Sequence, residues 1–171
     1  MVDIRLADSD DAALLADFAA RTFRDTFGAD STPEDLALFV AAAYGVAQQR
    51  AEIDDANQVV LLAEVDGHLA AYSQLRIGPP PACVSEASTI ELCRFYVDRT
   101  WHGRGIAHQL MQATERHALA RGARAIWLSV WERNPRAQAF YLKSGFRQAG
   151  TKPFVVGTDV QTDWVMVRSL T

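Results

Sequence analysis

Apolar positions recur every three or four residues in some stretches of this chain and every second residue in others, and the change of period divides it into elements. Leu14, Leu15, Phe18, Ala19 and Thr22 keep helical spacing, which predicts a helix from Asp8 to Phe27 with Asp8 or Asp10 as its cap and Gly28 as its stop. Ser31-Thr32-Pro33-Glu34-Asp35 predicts a second helix start, running to about Ala43: a hydroxyl cap, a proline in the first turn, then acids against the dipole. Further helical turns are expected over Val46 to Asp54, a long helix over Gly103 to Ala120 with Ile106, Leu110 and Ala113 on one face, and a short one over Pro135 to Lys143, ended by Gly145.

The strand-period stretches are Asp3 to Leu6, Gln58 to Val65, His68 to Ile77, Ser88 to Val97, Ala125 to Val130, Phe146 to Gly150 and Val160 to Val167. Asp66-Gly67 joins the second and third as a hairpin turn. Gly78-Pro79-Pro80-Pro81 is a rigid loop that cannot enter a sheet. Ala125 to Val130 is nearly continuously apolar, as a strand buried on both faces would be. Hairpins and helical crossovers together imply a mixed sheet of about seven strands with helices on both faces, an α/β (α+β) fold. No repeat or interdomain linker interrupts it, and residues 1–171 read as one domain.

Composition narrows the classes of function. No apolar run reaches the roughly 20 residues that span a bilayer. The first residues lack an apolar leader core, so a cytoplasmic protein is expected. Two cysteines, Cys83 and Cys93, do not make a disulfide framework and read as free thiols. Net charge is −4, and its distribution is uneven: residues 1–70 carry a balance of −10 and residues 71–171 one of +6. The acidic half suits a cation and the basic half a polyanion, unless both are only solvated helix faces. With no lysine-rich stripe and a pI near 5.5, nucleic acid is not an expected partner. The four histidines show no metal-ligand spacing, and no metal is expected.

The most specific stretch runs from Arg94 to Ala107. A β-rich run ends in a turn holding Gly103 and Gly105, and a helical pattern follows. A helix start offers unpaired N–H donors and about half a positive charge, which makes an anion site suited to phosphate. Glycine lets the backbone approach the oxygens.

With these residues in hand, the chain resembles the GNAT family of N-acetyltransferases. The family's cofactor loop, Gln/Arg-x-x-Gly-x-Gly/Ala after the fourth strand, is matched by His102-Gly103-Arg104-Gly105-Ile106-Ala107, with His102 where Gln or Arg is usual. About 30 residues on, Asn134, then Ala137-Gln138-Ala139-Phe140-Tyr141, then Gly145-Phe146, matches the second signature. Thr26-Phe27, Val130-Trp131-Glu132-Arg133-Asn134 and the segment Gly157 to Asp163 look most like the bacterial spermidine/spermine acetyltransferases.

The resemblance implies a fold splayed between the fourth and fifth strands and an acetyl group passed from acetyl-CoA to an amine, a polyamine first. The loop from His102 to Ala107 would take the pyrophosphate. Phe95, Tyr96 and Val97 would pair with the pantetheine arm and supply an oxyanion donor, with Ala137 and Phe140 beside it. Asn134 would hold a pantetheine amide, and Lys143 would reach the ribose phosphate. Tyr141 matches the tyrosine that protonates the leaving thiolate; on its pattern alone it is also a core aromatic. Glu91 is the first candidate for the base, with a salt bridge to Arg94 or another arginine as the alternative. Asp25, Asp30, Glu34 or Asp35 would steer a polycation, and Glu132 is a further candidate to bind one. Trp101 would stack on adenine or anchor the loop. A homodimer through the strand of Trp164 fits the family. A protein N-terminus, an aminoglycoside or an amino acid are alternative acceptors, and a non-catalytic CoA-binding module is the alternative to an enzyme.

Overall fold

The computed structural model describes residues 1–170 and arranges them as β1 (Val2–Leu6), α1 (Ala12–Phe27), α2 (Pro33–Ala43), α3 (Val46–Asp54), β2 (Gln58–Val65), β3 (His68–Arg76), β4 (Thr89–Val97), α4 (Ile106–Ala120), β5 (Ala125–Trp131), α5 (Pro135–Lys143), β6 (Arg147–Val156) and β7 (Asp159–Ser169). The strands form one sheet in the order β1-β2-β3-β4-β5-β7-β6. Only β4 and β5 are parallel; every other neighbouring pair is antiparallel. The mixed sheet read from the hydrophobic pattern is therefore present, and its elements sit where the pattern put them, with four differences.

First, the α1 region opens as a short 3-10 turn over Ser9–Asp11, because Asp8 and Asp11 close a reciprocal capping box there. Second, α4 begins at Ile106 rather than Gly103. Gly103 and Gly105 adopt φ of +75° and +76°, outside the right-handed helical region, so the loop keeps its own conformation up to the helix cap. Third, β6 does not stop at Gly150. It continues through Pro153 to Val156, which a proline permits because β6 is an edge strand and needs no N–H on its open side. Fourth, β7, which carries Trp164, lies between β5 and β6 with both edges paired. It has no free edge with which to extend a sheet across a dimer.

Alternation sorts the side chains of the sheet onto two faces. On one, Val59, Leu61 and Ala63 of β2 and Ile126, Leu128 and Val130 of β5 pack with Ile106, Leu110 and Met111 of α4 and Tyr141 of α5. On the other, Val60, Leu62, Tyr72 and Trp131 pack with Leu15, Phe18, Ala19 and Phe23 of α1 and Leu36 of α2. β2 and β5 are thus buried on both faces. Burying each such aliphatic side chain contributes about 1.5–3 kcal/mol. A wall of aromatic rings ties α1 and α2 to this second face, with Phe23 stacked on Phe27 and Phe39 (centroids 4.4 and 4.3 Å apart) and Phe27 against Trp131 at 5.0 Å.

Candidate active site

β4 and β5 pair for only three residues, Thr89↔Ala125, Ile90↔Ile126 and Glu91↔Trp127, and then part. The separation begins where β4 carries an extra residue. Gln74 of β3 pairs with Arg94 and Leu75 with Leu92, so Cys93 is an unpaired bulge. A bulge bends its strand and increases its twist, which here carries the end of β4 away from β5. The Cys93 Sγ donates to the Gln74 carbonyl at 3.3 Å, and burial pushes the thiol up to about 12.

A cleft of about 690 Å³ fills the gap and runs through the sheet from one face to the other. At the α4 end the loop reaches it as a row of main-chain donors. No protein acceptor takes the N–H groups of Gly103 to His108, six in succession, and the first carbonyl of the helix is already used, accepting from Gln109 at 3.2 Å. A Cβ built on either glycine would meet nothing within 4 Å, so the left-handed backbone, not crowding, excludes a side chain, and open space lies before the donors. A pyrophosphate fits this arrangement of free donors at a helix start. Arg99, Arg133 and Arg136 also line the cleft and add positive charge, Arg133 3.9 Å from Asp30 and Arg99 donating to the Asp25 carbonyl.

His102 lines the cleft, but its Nε2 donates to the Val97 carbonyl at 2.9 Å. A carbonyl can only accept, so that nitrogen carries the proton and the ring braces the loop against the end of β4. It does not offer that N–H to a phosphate. The Arg104 side chain lies over Trp101, 5.0 Å from the ring centroid. Trp101 also packs on the core, which makes it the anchor of the loop.

α5 presents Asn134, Arg136, Ala137, Phe140 and Tyr141 to the cleft. Asn134 Oδ1 accepts from the Ala137 N–H at 3.1 Å and caps the helix, leaving its NH₂ group as the available donor. Tyr141 is held by edge-on contacts with Phe95, Phe140 and Phe146 and is 7% exposed, yet no protein group bonds its hydroxyl. Burial raises its pKa above the ordinary phenol range, so the hydroxyl remains a donor at neutral pH.

The opposite mouth belongs to the face of α1 and α2. Thr22, Asp25, Thr26, Phe27 and Asp30 line it from the α1 side, and Ser129, Trp131, Phe154 and Asp163 from the sheet. Asp163 is 4% exposed and its Oδ1 has no hydrogen-bond partner. Burial pushes its carboxyl up to about 6, against the opposing influence of the Ser129 hydroxyl and Lys152.

Several expected site residues are not brought to the cleft. Glu91 lies on the paired part of β4, where Arg76 donates to its Oε2 through Nη2 at 2.8 Å and Nε at 3.1 Å. The expected base is thus consumed in a cross-strand ion pair before the strands part, and Arg94 takes Glu52 instead, at 2.5 Å. Lys143 sits exposed at the far end of α5, nine residues and about 13 Å along the helix from the cleft-facing cap. Asp35 is turned inward: its carboxylate accepts from the Thr158 N–H at 2.7 Å and hydroxyl at 2.9 Å, bonds that hold its pKa below the usual range. It fastens α2 to the β6–β7 turn. Glu34 and Glu132 are exposed and do not line the cleft. Among the described residues no group of three or more His, Cys, Asp or Glu side chains is placed to share a metal ion.

The profile of the acetyltransferase (GNAT) family matches residues 17–146. A protein of Mycobacterium tuberculosis named as an uncharacterized N-acetyltransferase is 36% identical over 160 residues, 94% of this chain and 98% of its own. Another so named from Lactobacillus delbrueckii subsp. lactis is 31% identical over 149 residues, 87% of this chain and 86% of its own. The crystal structure of the PaiA N-acetyltransferase from Thermoplasma acidophilum, in complex with coenzyme A, superposes with a TM-score of 0.81 at 20% identity over 99% of both chains, a likeness of fold. This chain belongs to the GNAT family of acetyltransferases, and it is an acyltransferase dependent on acetyl-CoA.

Proposed function

We propose that the protein transfers the acetyl group of acetyl-CoA to a primary amine of a small polycation of the spermidine/spermine kind. The observation that carries this reading is the opposite chemistry of the two mouths of one cleft. Free main-chain donors line the α4 end; Asp25, Asp30 and Asp163 with Phe27, Trp131 and Phe154 line the other, where Arg99 donates to the Asp25 carbonyl and Arg133 lies 3.9 Å from Asp30, leaving Asp163 without an arginine partner among the described residues. Carboxylates draw a polycation in, and aromatic faces favour its methylene chain and its charge.

In this reading the Gly103–His108 donors and Arg136 hold the phosphates. The unpaired edge of β4 from Phe95 to Val97 and the Asn134 NH₂ group hold the pantetheine amides, with Ala137 and Phe140 against the arm. Each amide left unpaired in a closed cleft would cost about 1–3 kcal/mol, which gives the gap a binding role. A main-chain N–H near Val97 faces the oxyanion. Tyr141 gives its proton to the departing sulfur. Its unengaged hydroxyl favours turnover over a module that only binds CoA. Free Cys83 and Cys93 agree with a reducing, cytoplasmic setting, and no helix among the described residues is long and apolar enough to cross a membrane.

The test is a panel of amines with acetyl-CoA, read by released thiol. Spermidine and spermine are expected to give the highest kcat/KM, with a KM that rises steeply with salt. Preference for a neutral amine, a peptide N-terminus or an aminoglycoside, or a KM indifferent to salt, contradicts the polyamine assignment.

A further inference from the structure

An amine reaches the cleft as an ammonium ion and cannot attack a carbonyl until it loses a proton. The expected base, Glu91, is locked to Arg76 outside the cleft. One carboxylate inside it is both buried and underused. Asp163 is 4% exposed, lines the cleft, and has an Oδ1 with no partner. The register explains its position. Asp163 lies opposite Trp131 of β5 and Lys152 of β6, so its side chain shares the acceptor-side face with Trp131 and Ser129. Along β7 the same face continues as Val165 and Val167, both wholly buried. A carboxylate at the head of such an apolar row is costly unless something polar meets it. The Ser129 hydroxyl and Lys152 offset that cost in part, but Oδ1 is left without a partner and the residue lines the cleft.

Resting on the acetyl-transfer reading above, we propose that Asp163 is the residue that takes the proton from the acceptor ammonium. The Asp163 carboxylate accepts one proton from R–NH₃⁺ and becomes a neutral acid. The freed lone pair forms the C–N bond to the thioester carbon, and the C–S bond breaks with its electron pair on sulfur. Tyr141 supplies the sulfur's proton and regains one from the nitrogen of the tetrahedral adduct. The third proton stays on the product amide. Asp163 returns its proton to water at the mouth of the cleft. The charged groups bearing on Asp163 are Lys152 of β6 and Glu132 after β5, with Asp25 and Asp30 on the same side of the cleft, where Arg133 lies 3.9 Å from Asp30 and Arg99 donates to the Asp25 carbonyl. Burial and Glu132 raise its affinity for the proton, while Ser129 and Lys152 lower it, for a net pKa of about 6. That is stronger as a base than an ordinary aspartate and still ionised at neutral pH.

The experiment compares the parent with Asp163→Asn and Ser129→Ala, using spermidine and acetyl-CoA, and follows coenzyme A binding by calorimetry alongside. The parent should show an acid limb in kcat near pH 6. D163N should lose that limb and about a hundredfold or more in kcat, while its Kd for coenzyme A stays within twofold. S129A, having lost the hydroxyl that favours the ionised carboxylate, should move the limb to higher pH. The base role is overturned if D163N keeps the acid limb with kcat within twofold of the parent. It is overturned equally if only KM rises, which would make Asp163 an anchor for the cation. Should D163N fail to fold, an acid limb unmoved in S129A overturns it. A parent that does not bind coenzyme A refutes the acetyl-transfer reading itself, a failure distinct from normal binding with an unaltered pH profile.

Discussion

The two mouths of the cleft are built from different materials. The α4 mouth is made of backbone: six free N–H groups between Gly103 and His108, held by two left-handed glycines and a helix start. The α1 mouth is made of side chains: Asp25 and Asp30 on or just after α1, Phe154 on β6, Asp163 on β7, Ser129 and Trp131 on β5. A site made of backbone tolerates change in most side chains provided φ is preserved. A site made of side chains from four segments can be retuned by single substitutions without disturbing the other mouth. With the proposed assignment of the two mouths, the difference teaches that one scaffold can keep its cosubstrate and vary its acceptor.

The sharpest way to break this contrast is Gly105→Val. A β-branched residue at φ +76° is strained by about 1–2 kcal/mol, and its side chain enters the space before the donors. Affinity for coenzyme A should fall a hundredfold or more in a calorimetric titration, with a folded protein by circular dichroism. Next in size is Tyr141→Phe, which removes one hydroxyl and no packing. Steady-state kinetics should show kcat reduced about tenfold or more, with the Kd for coenzyme A within twofold.

Replacing both Asp25 and Asp30 with Asn acts on the other mouth alone. KM for spermidine should rise severalfold and lose its dependence on salt, while KM for acetyl-CoA stays put. The smallest effect is on stability. The folded-state pKa of Asp163 is raised to about 6, so the stabilisation from its bound proton is complete below the unfolded value of 3.8 and is lost as pH rises through 6. Asp163→Asn does not pay that loss. Its Tm relative to the parent should therefore be higher at pH 8 than at pH 5, by a few degrees. A difference independent of pH would mean that Asp163 meets a partner when ionised.

The same contrast explains what could be read from the sequence. The loop of free donors at Gly103 and Gly105 was legible because its parts are local: strand, glycines and helix cap are contiguous. The position of Tyr141 at the cleft was legible for the same reason, within one short helix. Glu91 was misplaced because the bulge at Cys93 shifts the alternation of β4, and the ion pair with Arg76 depends on a register that one strand does not contain. Lys143 was misplaced because the face of α5 that meets the cleft carries Ala137, Phe140 and Tyr141, while Lys143 is exposed at the helix end and does not line it. Asp35 looked like a helix-start acid and proved to hold Thr158, 123 residues away. β6 was cut short at Gly150 because Pro153 reads as a breaker until the strand is known to be an edge. Asp163 did leave a trace. In Asp163-Trp164-Val165-Met166-Val167 the aspartate shares parity with two valines, so an inward carboxylate could have been suspected from alternation alone.

The most direct test of the parted-strand cleft is amide hydrogen exchange with and without coenzyme A. Bound ligand should slow exchange in two segments far apart in the chain, Gly103 to His108 and Phe95 to Val97, and in Asn134 to Ala137 to a lesser degree. Exchange unchanged in both of the first two segments, with coenzyme A demonstrably bound, would contradict the assignment of this cleft.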